Sequence, residues 1–380
     1  MAAGIKASGQ LDFGLIYCEE PAVGAGVFTT NLVKAAPVLL GRQRVPSGHV
    51  QGVVANSGCA NACTGEAGLR DAERLLAETG RLLKVAPEDL LPASTGVIGE
   101  RLPLEKMLAA LPELVSGLSP EKAPSFARAI MTTDTFPKVA ERVLSLPQGE
   151  VRLLGIAKGA GMIAPNMATM LGFILTDARL EESELEGILR SAVETSFNRI
   201  TVDGDTSTND TVYALASGAS GCALGGTARE DFVRLFNEVC QELAYLIVKD
   251  GEGATKTVRI RVEGAANEEE ALLMARTVAN SLLVKTAFFG EDPNWGRVLA
   301  ALGRSGASFD PYEVDLFIDD VAIVRNGLSL GKEAEERAHR VMQKSEFTLT
   351  ILLKQGKAVA EMLTCDLSYD YVKINAEYRT

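Results

Sequence analysis

A chain of 380 residues, 47% of them hydrophobic, can bury a large core and suits two domains or one big one. Its formal net charge of -12 repels phosphate backbones, and no Lys/Arg-rich stretch offsets that locally, which argues against nucleic acid as a partner. The first residues, MAAGIKASGQ, lack an apolar core with a small-residue cleavage site, and no apolar run reaches bilayer length, so a cytoplasmic protein without membrane contact is expected.

Taken in chain order, alternating or β-branched stretches predict strands and 3.6-residue apolar spacing predicts helices. Gly52 to Ala55 reads as strand, and Leu69 to Leu82 and Leu104 to Val115 as amphipathic helices. Val151 to Ile156 is strand-like. It is followed by the sharpest break in the sequence, KGAGMIAPNMATMLGFILT from Lys158 to Thr176, where a Gly-rich turn and a Pro-Asn step precede an apolar run. A helix carrying Leu185, Ile188, Leu189, Ala192, Val193 and Phe197 follows, with Ser183 as its cap. Thr211 to Leu215 is strand, Glu230 to Lys249 helix closed by Asp250-Gly251, Thr257 to Val262 strand, and Glu268 to Ala287 one long helix. Val314 to Ile318 and Phe347 to Leu353 are strands, separated by a charged, solvated helix from Lys332 to Gln343, and the last forty residues read as sheet. The alternation defines an α/β protein of the layered α+β kind, without solenoid repeats.

Several chemistries are poorly supported. The histidines are His49, in the turn-like Pro46-Ser47-Gly48-His49, and His339, in the charged helix; neither lies in HExxH or beside a G-x-S-x-G elbow, so a general base other than histidine is expected. Cys18, Cys59, Cys63, Cys222, Cys240 and Cys365 are too sparse for a disulfide framework and read as reduced core thiols. Cys59 and Cys63 have the spacing of one helix face, but no second close Cys/His pair completes a zinc site. Gly159, Gly161 and Ala164 mimic a dinucleotide loop, yet Pro165 obstructs the helix such a loop requires. Gly251, Gly253 and Lys256, like Gly327, Gly331 and Lys332, are misspaced for a Walker loop. Asp203, Asp205 and Asp210 lack the glycine and terminal Glu of a calcium loop and read as turn or strand-edge residues. Trp295 reads as a loop anchor against the core. No cofactor or metal is expected.

The Ala168-Thr169 step offers chemistry that needs no histidine. A threonine hydroxyl can attack the preceding carbonyl, shift the acyl group from nitrogen to oxygen, and let water release a chain that begins with Thr. Small Ala168 and the Gly/Pro-rich approach permit the tight turn this requires. The freed α-amine, with a reference pKa of about 7.7 to 8.0, is then a usable base beside its own hydroxyl.

Motifs over the whole length carry a resemblance. GAGVFTTNLVKAAPV from Gly24, ANSGCANACTG from Ala55, STGVIGERLP from Ser94, MTTDTFPK from Met131 and KGAGMIAPNMATML from Lys158 are joined by SFNRITVDGDTSTNDT from Ser196, KDGEGATK from Lys249, FGEDPNWGRVLAALGRSG from Phe289 and the terminal YVKINAEYRT. In number, order and spacing they are similar to the ornithine acetyltransferase, or glutamate N-acetyltransferase, family of arginine biosynthesis.

That resemblance implies a self-processing enzyme of the N-terminal-threonine type, cut between Ala168 and Thr169 into chains 1–168 and 169–380 that assemble as two copies of each. It implies Thr169 as nucleophile, Thr95 and Gly96 as the oxyanion-hole pair, and substrate contacts at Thr132, Lys158, Thr169, Glu252, Asn375 and Thr380. Thr133 and Thr135 stand in the same motif as Thr132 and are alternatives to it. The implied reaction is ping-pong acetyl transfer from N-acetylornithine to glutamate, with acetyl-CoA as a second donor left open. A carboxylate and a cationic side chain on the substrates suit a Lys, a Glu and small hydroxyl or amide groups as contacts. Lys158 would also hold the Thr169 amine neutral, since one cation disfavours another nearby. Ser94-Thr95-Gly96 also suits a β-turn, Glu252 a turn after a helix end, and contacts from Asn375 and Thr380 require the terminus to fold back onto the body. Two rivals remain at this level: an amidohydrolase or aminopeptidase with the same nucleophile and water as acceptor, and a non-catalytic amino-acid-binding protein.

Overall fold

The computed structural model describes residues 1–164 and 170–377. They divide into two compact units, one made of Met1–Asn198 and Asp205–Ile247, the other of Arg199–Gly204 and the chain from Val248 onward.

In the first unit the described strands are β1 (Phe13–Phe28), β2 (Ser47–Cys59), β3 (Leu90–Val97), β4 (Lys138–Leu146), β5 (Gly149–Lys158), β6 (Leu171–Thr176) and, past β7 (Ile200–Thr201) of the second unit, β8 (Thr211–Ala216). They form one sheet in the order β3-β2-β1-β8-β6-β5-β4. β1 organises it. Its first part pairs antiparallel with β2, from Phe13 opposite Asn56 to Tyr17 opposite Gly52, and the register then shifts before Ala22. From Val23 to Phe28 the same strand pairs with β8. The shift falls on Glu19, Glu20 and Pro21, where a bulge bends a strand and strengthens its twist.

The bend curls the sheet onto itself. Tyr213 of β8 donates its hydroxyl to the Pro92 carbonyl of β3 at 3.1 Å, although β1 and β2 lie between those strands in sheet order. The enclosed core joins Val53, Ala55, Leu91 and Ala93 from one limb to Ile156, Leu171, Phe173 and Leu215 from the other. Six described helices flank the sheet: α1 (Ala36–Arg44), α2 (Gly65–Leu83), α3 (Leu104–Ser116), α4 (Ala123–Ala129), α5 (Glu182–Thr195) and α6 (Thr227–Lys249). Phe126 of α4 meets Phe173 edge-on at 5.2 Å between centroids. α6 lies so close to β5 that a Cβ on Gly155 would come within 2.4 Å of Val239 and 2.7 Å of Leu243.

The second unit holds the sheet β12-β11-β10-β13-β9-β14-β7, with β9 (Thr257–Ala265), β10 (Asp315–Ile318), β11 (Val321–Arg325), β12 (Leu328–Ser329), β13 (Glu346–Leu352) and β14 (Ala358–Cys365). β9 runs parallel to β13 and antiparallel to β14. Its buried Val258, Ile260 and Val262 share a core with Met274, Ala275 and Val278 of α7 (Glu268–Ala279). α8 (Leu282–Phe289), α9 (Trp295–Gly303), α10 (Lys332–Met342) and α11 (Tyr369–Glu377) complete the unit's described helices. No single helix among the described residues is long and apolar enough to cross a membrane.

The mixed α/β class expected from sequence is the class observed, and six strands fall where β-branched runs place them. Five local expectations need correction. Ser183 lies inside α5, whose first turn follows Glu181 without a side-chain cap. The helix expected from Glu268 to Ala287 is two helices bent by 59°: Asn280 caps α7 through its backbone, while its side chain accepts a hydrogen bond from Thr201 at 2.7 Å. Residues 366–377 are not sheet, since α11 follows β14. Ser47 to His49 open β2 and are not a turn. Cys59 ends β2, and Cys63 stands exposed at φ 58°, so the two share no helix face.

Candidate active site

In the first unit, the ends of β3 and β5 meet. They are five steps apart in sheet order, which in a flat sheet is roughly 24 Å at about 4.8 Å per strand. Because the sheet is curled, the Lys158 Nζ at the end of β5 reaches to 3.5 Å from the Thr95 Oγ1 of β3. Lys158 is buried and donates a shorter bond, 2.7 Å, to the Thr132 Oγ1. Thr95, Thr132 and Lys158, predicted from separate motifs, therefore converge. Of the neighbouring threonines, Thr132 has its hydroxyl on Lys158.

Gly96 sits at φ +129°, a conformation that side chains rarely adopt, and a Cβ there would lie 2.4 Å from the Gly58 carbonyl carbon. Glycine lets β3 follow β2 in parallel register, Ser57 beside Thr95 and Gly58 beside Gly96. A buried polar network fixes the strand beneath. The Ser94 hydroxyl donates to Asn56 at 2.7 Å, Asn56 donates to the Cys59 carbonyl at 2.9 Å, and Asn209 donates to the Ser94 carbonyl at 2.8 Å. Ser94-Thr95-Gly96 is thus strand, not the β-turn its composition also allowed.

Sequence reasoning passed over Asp134 and Lys138, although both lie in the quoted MTTDTFPK. The Asp134 carboxylate is fully buried against Lys138, whose ammonium donates to it at 2.7 Å. It also accepts from the Gly159 amide at 2.7 Å and the Thr132 amide at 2.9 Å, with the Lys158 ammonium 3.9 Å away. Burial alone would raise its pKa, but Lys158, Lys138 and the hydrogen bonds outweigh that and hold it well below the usual carboxylate range. Lys6, whose ammonium donates to the Met131 carbonyl at 2.6 Å, adds another cation. Burial pushes its pKa down and Lys158 pushes it further, against the pull of Asp12. An aspartate four residues before a lysine in one short Thr-rich motif was the available signal.

In the second unit, Glu252 is buried and accepts from the Asn375 amide at 2.7 Å. α11 so supplies the folding-back of the C-terminal region that a role for Asn375 requires, and it brings the Asn375 amide also to the Tyr371 carbonyl at 3.0 Å. Ala168, Thr169 and Thr380 lie outside the described residues. The described chain resumes at Met170, and Leu171 pairs directly with Lys158 across β5 and β6.

The remaining motifs have structural explanations. Trp295 opens α9, packs against the second unit's core and donates its indole N–H to Glu335 at 3.1 Å. Burial raises the thiol pKa of Cys59, Cys240 and Cys365, which keeps them protonated and unreactive. Asp203 accepts from the Tyr371 hydroxyl at 3.4 Å.

A mixed α/β scaffold that buries a lysine against two threonine hydroxyls, backed by an ionised carboxylate, is the framework of an enzyme for small polar molecules. A model described as the ArgJ family matches residues 1–380. The arginine biosynthesis bifunctional protein ArgJ of Desulfotalea psychrophila is 51% identical over 381 residues, spanning 100% of this chain and 97% of the relative. Its counterpart in Geobacter sulfurreducens is 50% identical, with the same coverage. A crystal structure of arginine biosynthesis bifunctional protein ArgJ from Bacillus halodurans superposes with a TM-score of 0.53 at 38% identity, over 55% of this chain and 100% of that one. The chain belongs to the ArgJ family.

Proposed function

We propose that the protein is an acetyltransferase of arginine biosynthesis that moves the acetyl group of N-acetylornithine to glutamate through an acetyl ester on Thr169. Full-length identity of about half to bifunctional ArgJ proteins carries this reading, and those relatives lend no support to the amidohydrolase alternative. The cluster of buried Lys158 with half-buried Thr95 and Thr132 supports the assignment of roles.

The precursor cuts itself between Ala168 and Thr169, and the two chains stay together in the cytoplasm as a tetramer of two copies each. The Thr169 amine takes the hydroxyl proton as Oγ attacks the acetamide carbonyl. The Thr95 hydroxyl and the Gly96 amide donate to the oxyanion. The C–N bond breaks, the proton passes to the departing ornithine amine, and an ester remains. The glutamate amine then attacks that ester and Thr169 recovers its proton, giving N-acetylglutamate. Lys158 and Thr132 orient the substrate, as do Glu252, Asn375 and Thr380. Acetyl-CoA serves as a second donor in the bifunctional form of the reaction.

Incubation with N-acetylornithine alone tests this directly. The fragment beginning at Thr169 should gain one acetyl group, which glutamate removes as N-acetylglutamate far faster than buffer does. Thr169→Ala should remain one uncut, inactive chain. Active wild-type protein that is uncut would overturn the nucleophile, and rapid loss of acetyl to water would promote the hydrolase.

A further inference from the structure

Asp134 stands behind the residues assigned to substrate and has no role in the transfer just described. Its side chain is wholly buried, yet it joins two separate backbone amides and a lysine ammonium. One oxygen accepts from Lys138 at the start of β4 and from the Gly159 amide just past β5. The other accepts from the Thr132 amide and faces the Lys158 ammonium at 3.9 Å. Lys158 is thus too far for a direct hydrogen bond to the carboxylate but close enough to feel its charge, and its short bond goes to the Thr132 hydroxyl instead. Lys138 completes the device. Buried against Asp134 and lying 5.0 Å from the Phe136 ring centroid, it gives the carboxylate a countercharge, so Asp134 need not draw Lys158 away from the threonines.

We propose that Asp134 is a positioning residue for acetyl transfer, holding the Thr132 loop and the end of β5 in one rigid cluster and aiming Lys158 at the Thr95 and Thr132 hydroxyls. The proposal rests on the acetyltransferase reading. Asp134 touches no substrate and acts through Lys158. Lys6 and Lys138 are further cations at this cluster, so Asp134 also offsets their repulsion of the Lys158 charge.

The test compares Asp134→Asn with the double variant Asp134→Asn/Lys138→Met in the full chain. The single change leaves Lys138 buried without its countercharge, and misfolding alone could abolish activity. The double change removes both charges, a replacement that folds tolerate well when the volume is filled. The double variant should melt near the wild type yet load acetyl from N-acetylornithine about ten- to a hundredfold more slowly, as for loss of a hydrogen-bonded charge. The alkaline limb of its pH–rate profile should move to lower pH. A folded double variant with wild-type loading and pH profile would overturn the proposal, and so would failure of both variants to fold, which would make Asp134 purely structural. If wild-type protein does not load acetyl, the acetyltransferase reading fails. The Lys158 ammonium titration, followed by NMR on selectively labelled protein, then still decides the proposal: it should fall to lower pH in the double variant, and an unchanged titration overturns the role of Asp134.

Discussion

Lys158 illustrates how a single residue draws function from burial. A lysine in the open makes loose, hydrated contacts, whereas this one is held by Thr132 at 2.7 Å where water is scarce, so its charge acts strongly on whatever binds beside it. Thr95 should matter in a different way. As the proposed oxyanion donor its hydroxyl would bind most strongly at the tetrahedral stage, so Thr95→Ala should lower kcat about a hundred- to a thousandfold with little change in KM. Steady-state kinetics with N-acetylornithine checks this, and an unchanged kcat would move the oxyanion donor elsewhere. Asp134 makes a prediction about acid. Its folded pKa is depressed, so its stabilisation is present above the unfolded carboxylate value of about 3.9 and is lost as pH falls through the folded one. Urea unfolding should therefore show wild-type stability declining below about pH 4 more steeply than that of the Asp134→Asn/Lys138→Met variant, and equal slopes would exclude the contribution.

Between elements, β5 and α6 approach closely at Gly155. A methyl there would meet Val239 and Leu243 at under 3 Å, so Gly155→Ala should cost about 1 to 3 kcal/mol by overpacking. Thermal melts measure it, and an unchanged midpoint would show that α6 can shift freely. Gly155 also shows why some elements were readable from sequence and others were not. β5, β8, β9 and β13 present continuous or alternating β-branched runs, and periodicity finds them. β1 does not, because Glu19, Glu20 and Pro21 interrupt the pattern where the bulge bends the sheet, and its meaning depends on partners far away in sequence. The bend between α7 and α8 was hidden for a similar reason: both halves are apolar enough to continue as one helix, and the break is made by capping and by a bond from Thr201. For the site, Thr95, Thr132 and Lys158 were found through motif resemblance. Asp134 and Lys138 were missed because their importance comes from burial, which the motif does not state.

For the whole molecule, the expected fragments and the compact units do not coincide. The unit boundary falls at Ile247, while the proposed cut lies inside the first unit. A polypeptide of residues 1–168 produced alone would lack β6 and β8, leaving β1 and β5 as open edges with their inner faces bare. It should aggregate unless residues 169–380 are made beside it, and a soluble, folded 1–168 would contradict the role given to those central strands. The strand order has one more consequence. β6 and β8 are inserted between β1 and β5, so the two products of the proposed cut would be woven together and would separate only if the sheet were taken apart. Mixing isotopically heavy and light enzyme should yield no heavy-light hybrids within the first unit after days in native buffer, as read by mass spectrometry of the intact cut protein. With that cut, partners would be chosen once, when the precursor folds, and a molecule with one damaged chain would have no route to repair by exchange.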